Sequence, residues 1–380
     1  MQFRDERGSP VSTTQFYDAT VTRTWDGHPA VRPPNALIPL YQAILEHERL
    51  SWVEHHRLLR LLGAGGQGVV YLSERRGTDN FTLPVALKVF SPEHYATEQA
   101  YHEAMGQIAC VAAQVSLIQQ DNLLDVHNWL ERRQIRVMEM EWIDGFDLRH
   151  LLTQKMLDQI QARVTSRTWR HITEVVVTAG PLQPRLKPGI AIAIVRDVLA
   201  ALGALHRARI VHGDVKPSNV MLKRTGNAKV VDIGSAYSLD RPPAQTTCTP
   251  AYAAPEVLEH NACTPQSDLA SVGYVLVEML TGRPPFLGCT TYHDLLQAKR
   301  FLAQQLPHIL PQEVVRNELL MDFCRRLVAP DPARRFASAS DADLDDVGAA
   351  AIQRQLVKGD LASEYDFEIR IWLESLTELE

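Results

Sequence analysis

Four of the six residues from Gly63 to Gly68 are glycine, and the cluster lies between two strand-like runs, Leu58–Leu62 and Val69–Leu72. Glycine permits backbone conformations and close approaches that a Cβ forbids, so this cluster constrains the fold more than any other feature. Gly63-Ala64-Gly65-Gly66-Gln67-Gly68-Val69-Val70 fits G-x-G-x-x-G-x-V, a pattern whose backbone N–H groups can close on phosphate oxygens. The same spelling describes a dinucleotide-binding turn, but that turn opens a helix. Here Val69-Val70-Tyr71-Leu72 follows, which predicts a strand–turn–strand hairpin. A glycine-rich hairpin that binds nothing is the plainer alternative.

A third apolar run, Leu83–Phe90, extends the hairpin to an antiparallel sheet and contains Val85-Ala86-Leu87-Lys88. A lysine in an apolar strand is costly to bury unless it meets an anion, and nucleotide phosphates suit it. From about Tyr95 to Gln120 the spacing turns helical, with Met105, Ile108, Ala112, Val115 and Ile118 on one stripe. A carboxylate of that helix is expected to pair with Lys88. Glu103 is the first choice and Glu98 the alternative. Ile135–Ile143 returns to strand character, and helices then dominate, notably Ile190–His206 and Leu269–Thr281. The fold class expected is α+β, with a small β-rich lobe followed by a larger, mainly helical lobe.

Composition narrows the setting. At 380 residues and 45% apolar content the chain can build more than one core, and a net charge of −6 gives no reason to expect nucleic acid. Arg196 and Asp197 interrupt the apolar run from Ile190 to Leu205, so no membrane span is expected. The five cysteines are far apart and never in C-x-x-C spacing, which favours neither a disulfide framework nor a zinc site. A cytoplasmic protein is the expectation.

The decisive stretch is His212-Gly213-Asp214-Val215-Lys216-Pro217-Ser218-Asn219, followed by Asp232-Ile233-Gly234 and Cys248-Thr249-Pro250-Ala251-Tyr252-Ala253-Ala254-Pro255-Glu256. Ser267-Asp268 and Asp331-Pro332-Ala333-Arg334-Arg335 come after. In this order the motifs resemble those of the Ser/Thr protein kinases of bacterial, eukaryotic-like type, over roughly residues 57–340. The resemblance implies a bilobal fold and transfer of the γ-phosphate of ATP to protein hydroxyls, autophosphorylation included. Phosphoryl transfer asks a protein mainly for positioning and charge neutralisation.

The roles that follow are those the resemblance implies. Asp214 orients the acceptor hydroxyl and takes its proton, and Lys216 steadies the moving phosphate. Asn219 and Asp232 hold Mg²⁺, with Mn²⁺ as the alternative ion. Lys88, fixed by Glu103, grips the α- and β-phosphates beneath Gly63, Gly65 and Gly68. Met140 is the gatekeeper, and Glu141 and Ile143 are hinge residues whose backbone groups bond the adenine. Val70, Ala86 and Met221 sandwich the base. Asp147 is placed for the ribose, a helix N-cap being its alternative role. Glu256 and Arg335 form a structural ion pair, and Asp268 anchors the catalytic-loop backbone. Lys216 and Thr249 favour Ser/Thr acceptors, with Thr249 positioning the substrate.

Three departures matter. Gly213 stands where the family usually has the arginine of H-R-D, and Tyr237 where a second basic residue often helps. Together they imply that phosphorylation at Thr246 or Thr247 is not the main switch. Ile233 replaces the Phe of D-F-G. The H-G-D spelling also resembles small-molecule phosphotransferases of the aminoglycoside and choline kinase type, which lack the A-P-E segment. A pseudokinase scaffold is the other alternative.

The expected organisation is a flexible tail (1–35), a leading helix (36–56), the kinase domain (57–340) and an acidic extension (341–380). Within the domain, the N-lobe covers about 57–143, the C-lobe about 144–340, and a basic insertion about 149–187. The insertion holds seven basic residues against two acidic, and the extension eleven acidic against three basic. Such segments are usually solvated faces. A regulatory partner at either segment, or the extension folding back on the chain, is the functional reading.

Overall fold

The computed structural model describes residues 23–24, 35–46, 55–243, 247–357 and 365–376. Most of the expected tail therefore lies outside the described residues, but Arg23–Thr24 forms a short strand, β1. The leading helix is shorter than expected. It is α1, Leu37–Leu45, and its apolar side (Leu37, Tyr41, Ile44) is buried.

The N-lobe sheet comprises β2 (His55–Gly65), β3 (Gly68–Arg76), β4 (Thr82–Phe90), α2 (Glu98–Val115) packed beside it, β5 (Val126–Arg132) and β6 (Ile135–Glu141). Its strand order is β2-β3-β4-β6-β5, and every pairing is antiparallel. From Val85 to Phe90 every residue of β4 is buried, as expected of a central strand covered on both faces. Thr97 caps α2 through its hydroxyl, and Tyr101, Met105, Ile108, Val111, Ala112 and Val115 form its buried stripe.

The C-lobe starts with β7 (Gly145–Asp147) and α3 (Leu148–Leu151). The basic insertion follows as α4 (Gln154–Arg163), α5 (Ser166–Val175) and the ribbon β8 (Val177–Thr178) with β9 (Arg185–Leu186). Next come α6 (Pro188–Arg207), β10 (Ile210–Val211), β11 (Val220–Lys223), β12 (Ala228–Val230), β13 (Tyr237–Ser238) and β14 (Thr247–Cys248). The rest is helical: α7 (Pro255–Leu258), α8 (Pro265–Thr281), α9 (Tyr292–Ile309), α10 (Gln312–Val315), α11 (Glu318–Leu327), α12 (Ala339–Leu344), α13 (Ala349–Val357) and α14 (Tyr365–Glu374).

Helices α6 and α8 run through the C-lobe core. Thr264 and Ser267 form a reciprocal capping box at the start of α8, and Pro265 fixes its first turn, so the helix begins sharply and then runs almost wholly buried. By length and composition α6 is, among the described residues, the one helix apolar enough to cross a membrane, despite Arg196 and Asp197. It is a core helix instead, and most of its residues are buried. Arg196 meets Asp343 at 2.7 Å, and Asp197 accepts the Ala228 N–H at 2.6 Å.

The acidic extension folds back. Ile369, Trp372, Leu373 and Leu376 are buried, Glu368 meets His171 of the insertion at 2.5 Å, and Arg224 donates to the carbonyls of Leu373 and Leu376.

Candidate active site

The glycine cluster is the turn between β2 and β3, with Gly65 opposite Gly68 and Gly63 opposite Val70. Gly68 has φ 138°, and a Cβ there would stand 2.0 Å from the Val89 carbonyl oxygen, so only glycine lets the turn lie on β4. A Cβ at Gly63 or Gly65 would meet no other atom, so the chain's own packing does not demand glycine there.

Lys88 lies opposite Val70 on β3 and Met138 on β6, and it is buried. Its ammonium pairs with the Asp232 carboxylate and donates to Gln67 Oε1 at 2.8 Å. Glu103 is not its partner: it is exposed and accepts from Gln99 at 2.8 Å. Glu98 is exposed as well. The reason is helical phase, because Glu103 lies between Tyr101 and Met105 in sequence and therefore on the opposite face from both. Turning Glu103 inward would carry those buried side chains outward. The buried stripe of α2 contains no carboxylate.

Gln67, at the tip of the glycine turn, was not singled out by the sequence. Besides accepting from Lys88, it donates through Nε2 to Ser235 Oγ at 2.9 Å. Ser235 Oγ in turn receives the Thr247 hydroxyl at 2.9 Å. A polar chain thus runs from Asp232 through Lys88, Gln67 and Ser235 to β14.

Asp214 is 4% exposed and is gripped from several sides. Its Oδ1 accepts from Thr249 N at 3.0 Å and Thr249 Oγ1 at 2.6 Å, and its Oδ2 meets Lys216 Nζ at 2.8 Å. Lys216 also donates to Thr249 Oγ1 at 2.9 Å, and Asn219 Nδ2 donates to the Asp214 carbonyl at 2.8 Å. His212 accepts the Asp214 N–H on Nδ1 at 3.3 Å and faces the Val231 carbonyl with Nε2 at 3.2 Å, a pairing that requires the Nε2–H tautomer.

Asp268 lies beneath this loop. It accepts the N–H groups of His212 and Gly213 and the His206 Nε2, each at 2.9 Å. Burial pushes its carboxyl up, but these donors and the nearby histidines bring it below its ordinary value. Gly213 has φ 74°, which glycine adopts without strain. Burial likewise pushes the Asp232 carboxyl up, but Lys88, with help from Lys216 and the Gly234 N–H, lowers it to about 2.

Ala86 and Met140 face each other across β4 and β6, and Met221 pairs with Asp147 across β11 and β7. The Glu141 N–H donates to Asp125 O at 3.0 Å, and its carboxylate pairs with Lys229 and accepts the Asp125 N–H at 2.8 Å. Ile143 is buried nearby in sequence, after the strand ends. Asp147 caps α3: its carboxylate accepts the His150 N–H at 2.9 Å and meets His150 Nδ1 at 2.6 Å. Of its two sequence readings, this structure displays the cap.

Around the site, Arg335 makes two parallel bonds to Glu256, at 2.6 and 2.8 Å. Tyr237 donates its hydroxyl to Cys263 O at 2.7 Å. Thr246 lies outside the described residues. Sequence reasoning missed two buried groups under the loop after Thr249. Lys299 donates to Ala251 O at 2.7 Å and lies 4.0 Å from the ring centres of Tyr274 and Phe286. Glu278 accepts from Tyr252 OH at 2.6 Å and Gln183 Nε2 at 3.1 Å. The only sequence signal was a charge on an otherwise apolar helix face.

Comparison with known proteins bears on the family and the fold. The protein kinase domain family matches residues 56–343. The serine/threonine-protein kinase PrkC of Bacillus subtilis is 28% identical over 301 residues, covering 76% of this chain and 40% of that protein. PknD of Mycobacterium tuberculosis, also a serine/threonine-protein kinase, is 31% identical over 290 residues, covering 75% and 38%. The chain thus spans about two fifths of the length of these curated relatives. The crystal structure of the Mycobacterium tuberculosis PknI kinase domain shares the fold, with a TM-score of 0.50 and 21% identity over 79% of this chain and 95% of that one. With the family match covering most of its length, and the fold and ordered motifs agreeing, this chain belongs to the protein kinase domain family.

Proposed function

We propose that the chain is a Ser/Thr protein kinase that transfers the γ-phosphate of Mg-ATP to protein hydroxyls, its own included. The observation that carries this reading is the Asp214 cluster, in which one buried carboxylate is aimed by Thr249, Lys216 and the backbone held by Asp268. Lys88 and Asp232 stand across the same cleft beneath the glycine turn. PrkC and PknD carry the Ser/Thr kinase name, which supports the acceptor class.

In this mechanism Asp214 orients the acceptor hydroxyl and takes its proton as the new O–P bond forms and the bond to the ADP leaving oxygen breaks. Lys216 is close enough to Asp214 to place positive charge beside the transferring group. Lys88 exchanges Gln67 for nucleotide phosphate oxygens. Asn219 and Asp232 offer the hard oxygens a divalent cation needs, and Asp232 is held ionised for that purpose. The bound ion would neutralise charge on the phosphates. Val70, Ala86, Met140 and Met221 supply the apolar slot for the base, with backbone groups of Glu141 and Ile143 at its edge.

The test is Mg-ATP transfer by the purified chain onto itself and onto myelin basic protein, with phosphosites mapped by mass spectrometry. Asp214→Asn and Asp232→Ala run beside wild type. Phosphoserine or phosphothreonine from wild type alone is expected. Nucleotide binding without transfer in all three would move the weight to a scaffold.

A further inference from the structure

The strand β1 pairs antiparallel with β14, Arg23 opposite Cys248 and Thr24 opposite Thr247. Among the described residues, β14 has no other strand partner. The residue after it, Thr249, holds Asp214 through both its N–H and its hydroxyl. Arg23–Thr24 therefore lies along the backbone edge adjoining the catalytic carboxylate. Resting on the kinase reading, we infer that β14 is a strand-addition edge for an extended polypeptide acceptor, and that Arg23–Thr24 holds this edge as an intramolecular competitor.

Three observations support this. An exposed strand edge binds extended peptides through main-chain hydrogen bonds, with little demand on their sequence. A two-residue ladder is also too short to be stable by itself, so a substrate strand can displace it. The competitor is tethered as well. Ten residues separate Thr24 from Asn35, and Asn35 is buried against the N-lobe, donating to the carbonyls of Pro92 and Tyr95 at 3.4 Å. A tether of that length keeps a weak strand at high effective concentration.

The polar chain Thr247–Ser235–Gln67–Lys88 joins this edge to the nucleotide lysine.

The test uses the full chain, an Arg23→Pro/Thr24→Pro variant that removes both backbone N–H groups of β1, and a variant lacking residues 1–34. Steady-state transfer to myelin basic protein is measured for each. Both variants are expected to lower KM for the protein substrate at least about fivefold with kcat at saturation unchanged. A synthetic peptide of residues 18–30 should inhibit the truncated chain competitively with the protein substrate and not with ATP. Amide exchange at Thr247 and Cys248 should be faster in both variants. Active variants with wild-type KM and unchanged exchange overturn the competitor while leaving the kinase reading intact. Silence of every chain in transfer overturns that reading and this proposal with it.

Discussion

The Lys88 ammonium pairs with the Asp232 carboxylate, and α2 sends no carboxylate to it. The glutamates of that helix lie on its exposed side, where Glu103 bonds Gln99. The cleft lysine is thus held by Asp232 and by the side-chain amide of Gln67 from the glycine turn.

Glu103→Ala is accordingly expected to change kcat/KM for ATP by less than about twofold, whereas Lys88→Met lowers it by about 10²-fold or more. Steady-state kinetics at saturating protein substrate decide the matter. A large loss in Glu103→Ala would mean that α2 rotates during turnover.

Gln67 occupies a donor of Lys88 that, in the proposed mechanism, phosphate oxygens take over. Gln67→Ala removes this competitor, and KM for ATP should fall by about two- to tenfold, the worth of one such hydrogen bond. An unchanged or raised KM would show that Gln67 assists the nucleotide instead.

Gly213 and Tyr237 offer no cation to a phosphorylated loop, and the Thr247 hydroxyl is already bonded to Ser235. Alanine at Thr246 and Thr247 together should leave turnover within about threefold of wild type. Abolished transfer in that variant would establish loop phosphorylation as the switch.

Burial raises the Glu278 carboxyl above its ordinary value, its hydrogen bonds to Tyr252 and Gln183 only partly offsetting this. A raised folded-state value means that ionising the group costs stability as pH climbs above the ordinary carboxylate range. Glu278→Gln should therefore gain stability over wild type at pH 7 and lose that advantage near pH 4. Denaturant titrations at the two pH values test the sign. A gain at pH 4 that vanished at pH 7 would contradict it.

Trp372 is 1% exposed, in an extension that could equally have served a partner. Trp372→Ala should destabilise the chain by about 3–5 kcal/mol, the usual cost of emptying a buried aromatic site. Thermal melts of that variant and of a chain ending at Val357 check this. An unchanged melt would mean that α14 contributes nothing to the fold.

The sequence determined the elements whose information is local. Glycine spacing placed the β2–β3 turn, and apolar periodicity placed α2, α6 and α8. The short motifs around Asp214, Asn219, Asp232 and Asp268 follow one another in an order that names the family, because each is a run of consecutive residues. Contacts between distant segments were decided only by the tertiary structure. Helical phase, set by which face of α2 meets the sheet, turned Glu103 outward. Gln67 reaches Lys88 and Ser235 only because the turn folds over the cleft. Arg23–Thr24 meets β14 more than two hundred residues away along the chain, and backbone pairing of that kind leaves no mark on side-chain pattern. The acidic extension likewise has its place on α5 and α6 because Ile369, Trp372 and Leu373 find an apolar surface there, which its charge alone gave no reason to expect.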